Sequence, residues 1–352
     1  MMIGLDIGRK EVKLVEIQKA PKGLKLVRFG SEPVISAGKD FDPERIERVD
    51  QATAIKSLMK KLKLNPKRVK HLVTSLNGQI TSIRQVKMMD SGEDEMTASL
   101  QMEAKKHIPL DGTDALMDYQ VLGEDPAEID KINILLVAST QRNLDRHLDL
   151  LKEAELRPGI VDCDAIGISN VYIMQNGLPE EGADVFVAIG AVSTTLVVWG
   201  RQAPYFTREI QIGGHDFTKY LAGQKNIPYH EAEDEKLKVG FESLNKKKGT
   251  GETQSYSIAV AERTIFDNLV DELRRSLRFY MKENNESYFN KIVLMGGAAA
   301  TMGLTEFISE HLSVTVEVYN PFTHFHPHVD EEVDNPTKYS LAVGLAMRGL
   351  EE

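Results

Sequence analysis

The first residues of the chain form an apolar run followed by an amphipathic one, a pattern that predicts a β-hairpin. An apolar strand ends in the carboxylate of Asp6, the chain turns at Gly8, and an amphipathic strand carrying Lys13 follows. Glycine at such a turn lets backbone N–H groups approach an anion, while Asp6 could hold a hydrated metal ion and Lys13 could reach the same phosphates. The hairpin is therefore a candidate phosphate-binding loop. An edge hairpin with a solvated aspartate explains the same residues, because this turn signature is short and common.

The pattern that follows predicts two strands separated by a helix. Residues 24–29 form a third strand, and residues 42–62 carry apolar side chains near helical spacing. Asp42 followed by Pro43 is typical of a helix start, with the aspartate as N-cap and the proline in the first turn. Residues 71–75 then form a short buried strand.

From residue 79 to residue 158 the pattern becomes that of an inserted α+β unit. It predicts strands at 83–88, 117–122 and 132–139. A helix capped at Ser91 and ending before Pro109 places Met96, Leu100 and Ala104 on one face. A second helix at 144–156, capped by Asn143, carries Leu144, Leu148 and Leu151. Such stripes are more typical of core packing than of a cofactor site.

The opening hairpin recurs in the middle of the chain. Aligning Gly190 with Gly8 sets residues 187–190 against 5–8 and residues 195–198 against 13–16. Another strand, here at 203–212, and then a helix follow each hairpin. The repeat predicts two similar lobes that offer their backbone loops to one ligand between them. Chance similarity between two β-hairpins is the alternative.

Pairs of glycines mark a helix start and a turn in the second half of the chain. Gly213 and Gly214 open a helix through Leu221, and a buried strand at 291–295 breaks into a turn at Gly296 and Gly297. That turn suits close approach to an adenine and ribose, although a plain strand-to-helix turn has the same residues.

Three further helices are predicted in this half. They lie at 260–284, at 304–312 and at 339–348, and the last has small residues that permit a tight crossing with a neighbour. The polar tract at 246–253 is predicted to be a mobile tip, and it lacks the spacing of a Walker phosphate loop.

Composition limits the classes of function. The 352 residues, 41% of them hydrophobic, can bury more than one lobe, and the net charge of -10 argues against a broad nucleic-acid surface. The one cysteine, Cys163, excludes an internal disulfide and is more typical of core filler than of a nucleophile. No basic region precedes an apolar stretch at the N-terminus, so we expect no signal peptide and a cytoplasmic protein.

A cluster of histidines near the C-terminus is a candidate metal site. His324, His326 and His328 could present three imidazoles on one face, but Pro327 indicates a surface loop, and no cysteine lies nearby to complete a site.

Together these features resemble the actin, Hsp70 and sugar kinase superfamily. Within it, the insertion at 79–158 resembles that of the FtsA and PilM families. The similarity to the PilM family of type IV pilus proteins rests on phrases spread along the chain: residues 4–8 with 12–16, 106–110 with Asp118 and Tyr119, 213–218, 273–277 and 343–349.

The resemblance implies a fold and its domains. The fold is α/β, an actin-like (ribonuclease H-like) ATPase fold of two lobes with an inserted subdomain in the first lobe. The implied domains are a first-lobe core at 1–78, completed by 159–182 and 336–352, its insertion at 79–158, a second-lobe core at 183–212 and 291–335, and a second-lobe insertion at 213–290.

It also implies cofactors and partners. ATP and Mg would lie between the lobes, and the protein would be a cytoplasmic scaffold of the type IV pilus machinery, peripheral to the inner membrane through its partners. The implied partner is the N-terminal tail of the membrane protein PilN, held in a groove beside the inserted subdomain. Pilus motor ATPases and the platform protein are implied as further partners.

Site residues follow from the same resemblance. Asp6 would face Mg through water, and Asp164, in the connecting segment at 161–172, would help to orient the attacking water. The implied nucleotide-binding residues are Asp6, Gly8, Arg9, Lys10 and Lys13 in the first loop, Gly190, Ala191, Val192, Ser193 and Thr194 in the second, Gly213 and Gly214, Glu272 and Arg275 on the long helix, and Gly296, Gly297 and Ala298 in the adenosine turn.

Two departures from the family pattern bear on catalysis. Ala188 stands where relatives place a second aspartate, and Arg9 replaces the small hydroxyl residue usual after Gly8. Phosphoryl transfer depends on positioning and on charge stabilisation at the metal, so losing a metal-orienting carboxylate should lower the rate more than the binding. We therefore predict nucleotide binding with slow or absent hydrolysis.

Two other functions fit the same fold less well. A small-molecule kinase would need a general base near its acceptor hydroxyl and an intact metal site, and neither is evident. A cell-division or secretion scaffold like FtsA usually ends in a basic amphipathic membrane helix, whereas this sequence ends in Leu350, Glu351 and Glu352. The nucleotide-dependent scaffold is the leading hypothesis.

Overall fold

The computed structural model describes residues 1–21, 23–35, 39–108, 114–125, 128–240, 263–284, 286–326 and 333–350. The predicted helix stop at Pro109, the polar tract at 246–253, the first three residues of the helix predicted at 260–284, and His328 lie outside these ranges.

Each predicted strand and helix overlaps an observed one. The strands are β1 (Met2–Ile7), β2 (Glu11–Ala20), β3 (Gly23–Pro33), β4 (Leu72–Leu76), β5 (Ser82–Met89), β6 (Ala115–Glu124), β7 (Lys131–Thr140), β8 (Ile160–Cys163), β9 (Asp184–Ile189), β10 (Thr194–Trp199), β11 (Phe206–Ile210), β12 (Lys291–Met295) and β13 (Val316–Val318). The helices are α1 (Arg48–Lys61), α2 (Glu93–His107), α3 (Gln141–Glu153), α4 (Asp164–Asn176), α5 (Gly214–Lys225), α6 (Tyr229–Val239), α7 (Ile265–Asn284), α8 (Leu304–Leu312) and α9 (Ser340–Arg348). None of these helices combines the length and the apolar character needed to cross a membrane.

Two five-stranded sheets share one topology. Their strand orders are β3-β2-β1-β4-β8 and β11-β10-β9-β12-β13, each an antiparallel meander joined to parallel strands. The register repeats as well, because Asp6 pairs with Lys13 and Ala188 pairs with Thr195. The alignment of the two hairpins sets the same residues against each other, Asp6 against Ala188 and Lys13 against Thr195. The two-lobe α/β architecture is confirmed.

The inserted unit has a sheet of its own. Its three strands lie in the order β5-β7-β6, so β5 and β6 are edge strands. Met96, Leu100 and Ala104 of α2 are buried against the side chains of Ile134 and Leu136 on β7, as their spacing predicts. Where this unit and the lobes begin and end stays a prediction.

The predicted starts of the first two helices are wrong. Asp42 caps a 3₁₀ turn at Pro43–Arg45 instead of α1, and α1 begins at Arg48 with Glu47 as its N-cap. The N-cap of α2 is Gly92 and not Ser91. Several polar side chains near each start can serve as caps, and the direction from which the chain enters the helix decides between them.

The predicted cap of α3 is also wrong, and its predicted apolar face is right only in part. Thr140 caps the helix, and its hydroxyl oxygen accepts the backbone N–H of Asn143 at 3.3 Å. Leu148 is 37% exposed, while Leu150 and Leu151 are buried. The buried face therefore keeps the predicted Leu151, gains Leu150 and excludes Leu148. Among the helices and strands named above, β8, α4, α6 and β13 were not predicted from the sequence.

The terminal helix α9 crosses its neighbours at backbone contact distance, as its small residues predict. A Cβ on Gly4 of β1 would lie 1.9 Å from the carbonyl oxygen of Ala342, and one on Gly344 would lie 1.9 Å from the carbonyl oxygen of Gly167 on α4. No side chain fits at either crossing. Helix α9 therefore packs directly on the strand that leads to the first hairpin turn.

We expect Gly344→Ala to lower the free energy of unfolding by about 1–3 kcal/mol, because the added methyl group must separate two helix backbones. Gly223→Ala is the matched control, since a Cβ at that helical glycine meets nothing within 4 Å. It should leave stability unchanged or raise it by up to about 1 kcal/mol. Urea unfolding of both variants measures the difference, and equal midpoints would contradict the tight crossing.

Candidate functional site

The first hairpin carries a buried ion pair. Lys13 Nζ donates to Asp6 Oδ2 at 2.9 Å and also lies 3.3 Å from the carbonyl oxygen of Glu11. Burial acts to lower the pKa of Lys13, but the carboxylates of Asp6 and Glu11 outweigh it and leave the pKa raised. Lys13 is therefore a fixed positive charge at the hairpin.

Gly8 is required at the turn by close contact. A Cβ there would lie 2.6 Å from the carbonyl oxygen of Glu11. The carbonyl oxygen of Gly8 in turn accepts the side-chain amide of Gln51 at 3.2 Å, which joins the turn to α1. Arg9, the next residue, is exposed.

The second loop is held by the start of α5. Within the loop, the backbone N–H of Gly190 donates to the carbonyl oxygen of Ser193 at 2.9 Å. The backbone N–H of Gly214 donates to Gly190 at 2.9 Å, and that of His215 donates to Ala191 at 2.7 Å. A Cβ on Gly213 would lie 2.7 Å from the backbone of Ala191, so the predicted glycine pair is in contact with the predicted loop.

The same loop reaches the other lobe. Ala191 and Val192 pack against the hydrophobic cluster that contains residues of β1, β2 and α1. The two hairpin turns therefore face one cleft, as the repeat predicts.

Glu209 of β11 holds two hydroxyl groups of the second loop. Its carboxylate accepts the hydroxyl of Thr195 at 2.9 Å and that of Ser193. Ala188, Thr195 and Glu209 are paired in register across β9, β10 and β11. Thr194 donates instead to the carbonyl oxygen of Ile212, at 2.7 Å.

The predicted adenosine turn joins the same cluster of backbone contacts. Gly296 has φ +86°, and a Cβ there would lie 2.5 Å from the carbonyl oxygen of Ile189 at the end of β9. Gly297, the next residue, begins a 3₁₀ turn. The methyl group of Ala298 would lie 3.0 Å from a Cβ on Gly214. The turn after β12, the start of α5 and the second loop thus meet at one place.

Sequence reasoning missed two residues on α6. Glu233 forms an ion pair with Lys10 of the first hairpin and with Lys236, whose Nζ is 2.8 Å from Glu233 Oε2. Lys236 is 5% exposed and donates to the carbonyl oxygen of Gly214 at 3.1 Å and to Thr218 at 2.8 Å. Burial alone would raise the pKa of Glu233, but Lys236 and Lys10 lower it to about 2.

This network joins Lys10, Glu233 and Gly214, which come from three separate stretches of the chain. The signal in the sequence was the Glu-x-x-Lys spacing of Glu233 and Lys236. It indicates an ion pair only if the segment is a helix, and α6 was not predicted.

A further lysine, Lys338, lies at the adenosine turn. A Cβ on Gly297 would lie 3.7 Å from the Cβ of Lys338, and the Nζ of Lys338 lies 3.3 Å from Glu11 Oε1. Burial tends to raise the pKa of Glu11, but Lys13, Ser31 and Lys338 outweigh it and leave the pKa lowered.

Glu272 and Arg275 lie elsewhere on the second lobe. They form an ion pair with each other at 2.6 Å, and Glu272 also pairs with Arg208 of β11 at 3.3 Å. Strand β11 is three strands away from β12, which carries the adenosine turn. The structure does not bring these two side chains together with the glycine turns, and their role as base or ribose contacts stays a prediction.

Asp164 stands at the start of α4, behind the first hairpin. Ser75 donates its hydroxyl to Asp164 Oδ1 at 2.5 Å. Burial, with the negative charges of Asp6 and Glu209, raises the pKa of Asp164 to about 8 against that hydrogen bond. The carboxyl group is therefore mostly protonated at pH 7, which is unfavourable for a group that must attract a proton from water.

Neither the cysteine nor the candidate metal ligands form a reactive site in the described residues. Burial raises the pKa of the Cys163 thiol, which makes it a poor nucleophile. Within the ranges that the structure describes, no group of three His, Cys, Asp or Glu side chains is arranged to hold a metal ion directly.

Two lobes of one topology, with their hairpin turns facing a single cleft, define a two-lobe protein of the actin-like class. A family model described as "Type IV pilus assembly protein PilM" matches residues 4–350. The chain belongs to the PilM family of type IV pilus assembly proteins.

Solved structures agree with this fold. A chain of a "PilM-PilN type IV pilus biogenesis complex" is 24% identical, with a TM-score of 0.80 over 100% of this chain and 99% of that one. The ethanolamine utilization protein EutJ from Carboxydothermus hydrogenoformans is 14% identical, with a TM-score of 0.54 over 98% of this chain and 89% of that one. MreB 5 of Spiroplasma citri, solved with AMPPNP, is 14% identical, with a TM-score of 0.50 over 97% and 94%. The predicted actin-like fold is confirmed.

We expect Asp164→Asn to flatten the dependence of stability on pH. The folded protein keeps the Asp164 proton up to about pH 8, whereas an unfolded chain releases it near pH 4. Because the folded state binds the additional proton in this window, the wild-type carboxyl group lowers stability as the pH rises from about 4 to about 8.

Between about pH 5 and about pH 8, the free energy of unfolding of the variant should therefore fall less than that of the wild type, by about 1 kcal/mol or more. Urea unfolding at both pH values measures it. Asp145→Asn, which changes an exposed carboxylate on α3, is the control. Parallel pH profiles for wild type and Asp164→Asn would contradict the raised pKa.

Proposed function

We propose that the protein is a nucleotide-binding scaffold of the type IV pilus machinery that holds ATP between its lobes and the N-terminal tail of PilN on its inserted unit. The observation that carries the proposal is the cleft where both hairpin turns, the start of α5 and the Gly296 turn meet. Membership of the PilM family supports the pilus context. We extend the proposal to pilus motor ATPases and the platform protein as the components that the scaffold links.

The residues of the cleft fit a nucleotide. Glycines stand where the backbone of each loop would approach phosphate, and Lys13 and Lys10 bring positive charge to the first loop. Phosphate would replace Glu233 as the partner of Lys10. The buried Lys236 donates to Gly214, Thr218 and Glu233, so it holds the start of α5 in place beside the ligand.

Asp6 fits a role towards magnesium. Its side chain is 13% exposed and its orientation is fixed by Lys13, so it can hold a hydrated ion through water. When bound, magnesium would neutralise phosphate charge. With Ala188 in the second lobe and Asp164 protonated near pH 7, we propose retention of ATP with slow or absent hydrolysis.

For the nucleotide site, we expect Lys13→Gln to weaken binding of AMPPNP with magnesium by about 10-fold or more, because a charged hydrogen bond to phosphate is lost. Lys19→Gln is the control: Lys19 lies on the same strand, and its Nζ donates to the carbonyl oxygen of Leu350 at 2.7 Å. Isothermal titration calorimetry measures both. An unchanged affinity in Lys13→Gln would remove Lys13 from the site, and no binding by the wild type would overturn the nucleotide proposal.

For the tail of PilN, we propose the groove between β5 and α2. It has a volume of about 550 Å³ and is lined by Val86, Met88 and Met89 of β5 and by Leu100 of α2. Strand β5 is an edge of its sheet, so an extended peptide can pair with its backbone while its side chains enter the groove. Methionine side chains adapt to peptides of different shape.

The charge of the groove favours a basic tail. Glu95 of α2 lines it, as does Glu103, which is paired with Lys106 at 2.6 Å and with His107 at 2.9 Å. Lys87 is paired at 2.9 Å and 2.8 Å with Asp125 and Glu128. Cytoplasmic segments next to a membrane helix carry an excess of lysine and arginine. A membrane protein's cytoplasmic tail is therefore a chemically suitable occupant.

We expect Glu95→Lys to weaken binding of a synthetic PilN-tail peptide by about threefold or more at low ionic strength, with the difference shrinking as salt is added. Asp94→Lys makes the same change of charge at the adjacent residue, which does not line the groove, and should have a smaller effect. Fluorescence anisotropy of the labelled peptide measures both variants. Equal effects would place the tail elsewhere, and no binding by the wild type would overturn the tail proposal.

A further inference from the structure

Glu209 contacts more than the second loop. On one side it accepts the hydroxyls of Ser193 and Thr195. On the other side it faces the turn between β4 and β5, where a Cβ on Gly78 would lie 2.7 Å from Glu209 Oε2. One carboxylate thus lies between a candidate phosphate loop and the entry to the inserted unit.

Two more contacts join β11 to the inserted unit, one at each end of the strand. The backbone N–H of Tyr205 donates to the side-chain oxygen of Gln85 on β5 at 2.7 Å, and Gln79 donates to Gln211 at 2.8 Å. Strand β5 continues from Gln85 directly into the groove wall at 86–89. A shift of β11 would therefore displace β5, the strand that borders the groove.

The turn between β4 and β5 is in turn fixed to the rest of the inserted unit. The hydroxyl of Ser139, on β7, donates to the carbonyl oxygen of Ile80 in this turn at 2.6 Å. Pressure on the turn from Glu209 would therefore be transmitted to the central strand of the inserted sheet, to which β5 is also paired.

We propose that Glu209 is a positioning residue that couples the second phosphate loop to the inserted unit, so that nucleotide in the cleft and a peptide in the β5–α2 groove change each other's affinity. This inference rests on the proposed function, because it requires both ligands. It adds a regulatory link that neither site supplies alone.

The physical cause is competition for the loop hydroxyls. Each hydroxyl of Ser193 and Thr195 has one proton to donate, which goes either to Glu209 or to a phosphate oxygen. Phosphate at the loop removes donors from Glu209 and repels its charge, and the carboxylate has the Gly78 turn on its far side. The two ligand states thus differ in a defined set of contacts, which coupling requires.

The test measures the coupling itself. The affinity of the full chain for a synthetic PilN-tail peptide is determined by calorimetry with and without saturating AMPPNP and magnesium, and the affinity for AMPPNP with and without peptide. In the wild type we expect each ligand to change the affinity for the other by the same factor, of about fivefold or more. Equality of the two factors is required by thermodynamic linkage.

Three variants separate coupling from folding. Glu209→Gln keeps the size of the side chain but loses its charge, and should reduce the factor to less than about twofold. Gln85→Ala removes the contact with Tyr205 and should reduce the factor while leaving the affinity for AMPPNP alone unchanged. Gln120→Ala changes a glutamine on the opposite edge strand, where its side-chain amide donates to the carbonyl oxygen of Val121, and should keep the wild-type factor.

Each outcome decides between the proposals. A wild-type factor of one, or a wild-type factor retained in both Glu209→Gln and Gln85→Ala, overturns the coupling while the proposed function stands. A wild type that fails to bind AMPPNP or the peptide overturns the proposed function, and the coupling with it.

Discussion

The cleft depends on backbone segments packed so closely that no side chain fits between them. The end of β9 is clamped in this way from two sides. Gly213 at the start of α5 would place a Cβ 2.7 Å from Ala191, and Gly296 after β12 would place one 2.5 Å from Ile189. Because these contacts join main chain to main chain, rotamer changes cannot relieve them. The second loop is therefore positioned by the fold itself, before any ligand arrives, which lowers the cost of ordering it on binding.

The close backbone contacts are fixed, whereas the ion pair between the lobes is a contact that a ligand can change. Lys10 and Glu233 meet across the cleft, and the Lys10 side chain is 41% exposed. Glu233 is 16% exposed, so the lysine end of this pair is the one open to water and to screening by salt. Lys236, by contrast, is buried and tied to backbone at Gly214. The Lys10 end of the network can therefore change partners at small cost, while the Lys236 end keeps α6 attached to α5.

The elements were predictable from the sequence where the signal is local. A strand, a glycine turn and a second strand can be recognised from adjacent residues, so the hairpin at Gly8 and its repeat at Gly190 were predicted. The caps of α1, α2 and α3 were not predicted. A serine, asparagine or aspartate near a helix start serves as the cap only if the path of the preceding chain brings its side chain to the free backbone N–H groups. Glu209 could not be assigned, since its link to Thr195 depends on the register between β10 and β11.

The pairing of Ala188 with Thr195 and Glu209 bears on what the cleft can do. In the first lobe the carboxylate, Asp6, lies on the strand that leads into the loop. In the second lobe the carboxylate is that of Glu209, which lies two strands away from Ala188. At ordinary strand spacing, the two backbones are about 10 Å apart. There it accepts the hydroxyl groups of Ser193 and Thr195. Two carboxylates facing each other could orient a metal for phosphoryl transfer, whereas one facing the cleft and one anchoring a loop are better suited to holding a nucleotide and sensing its presence.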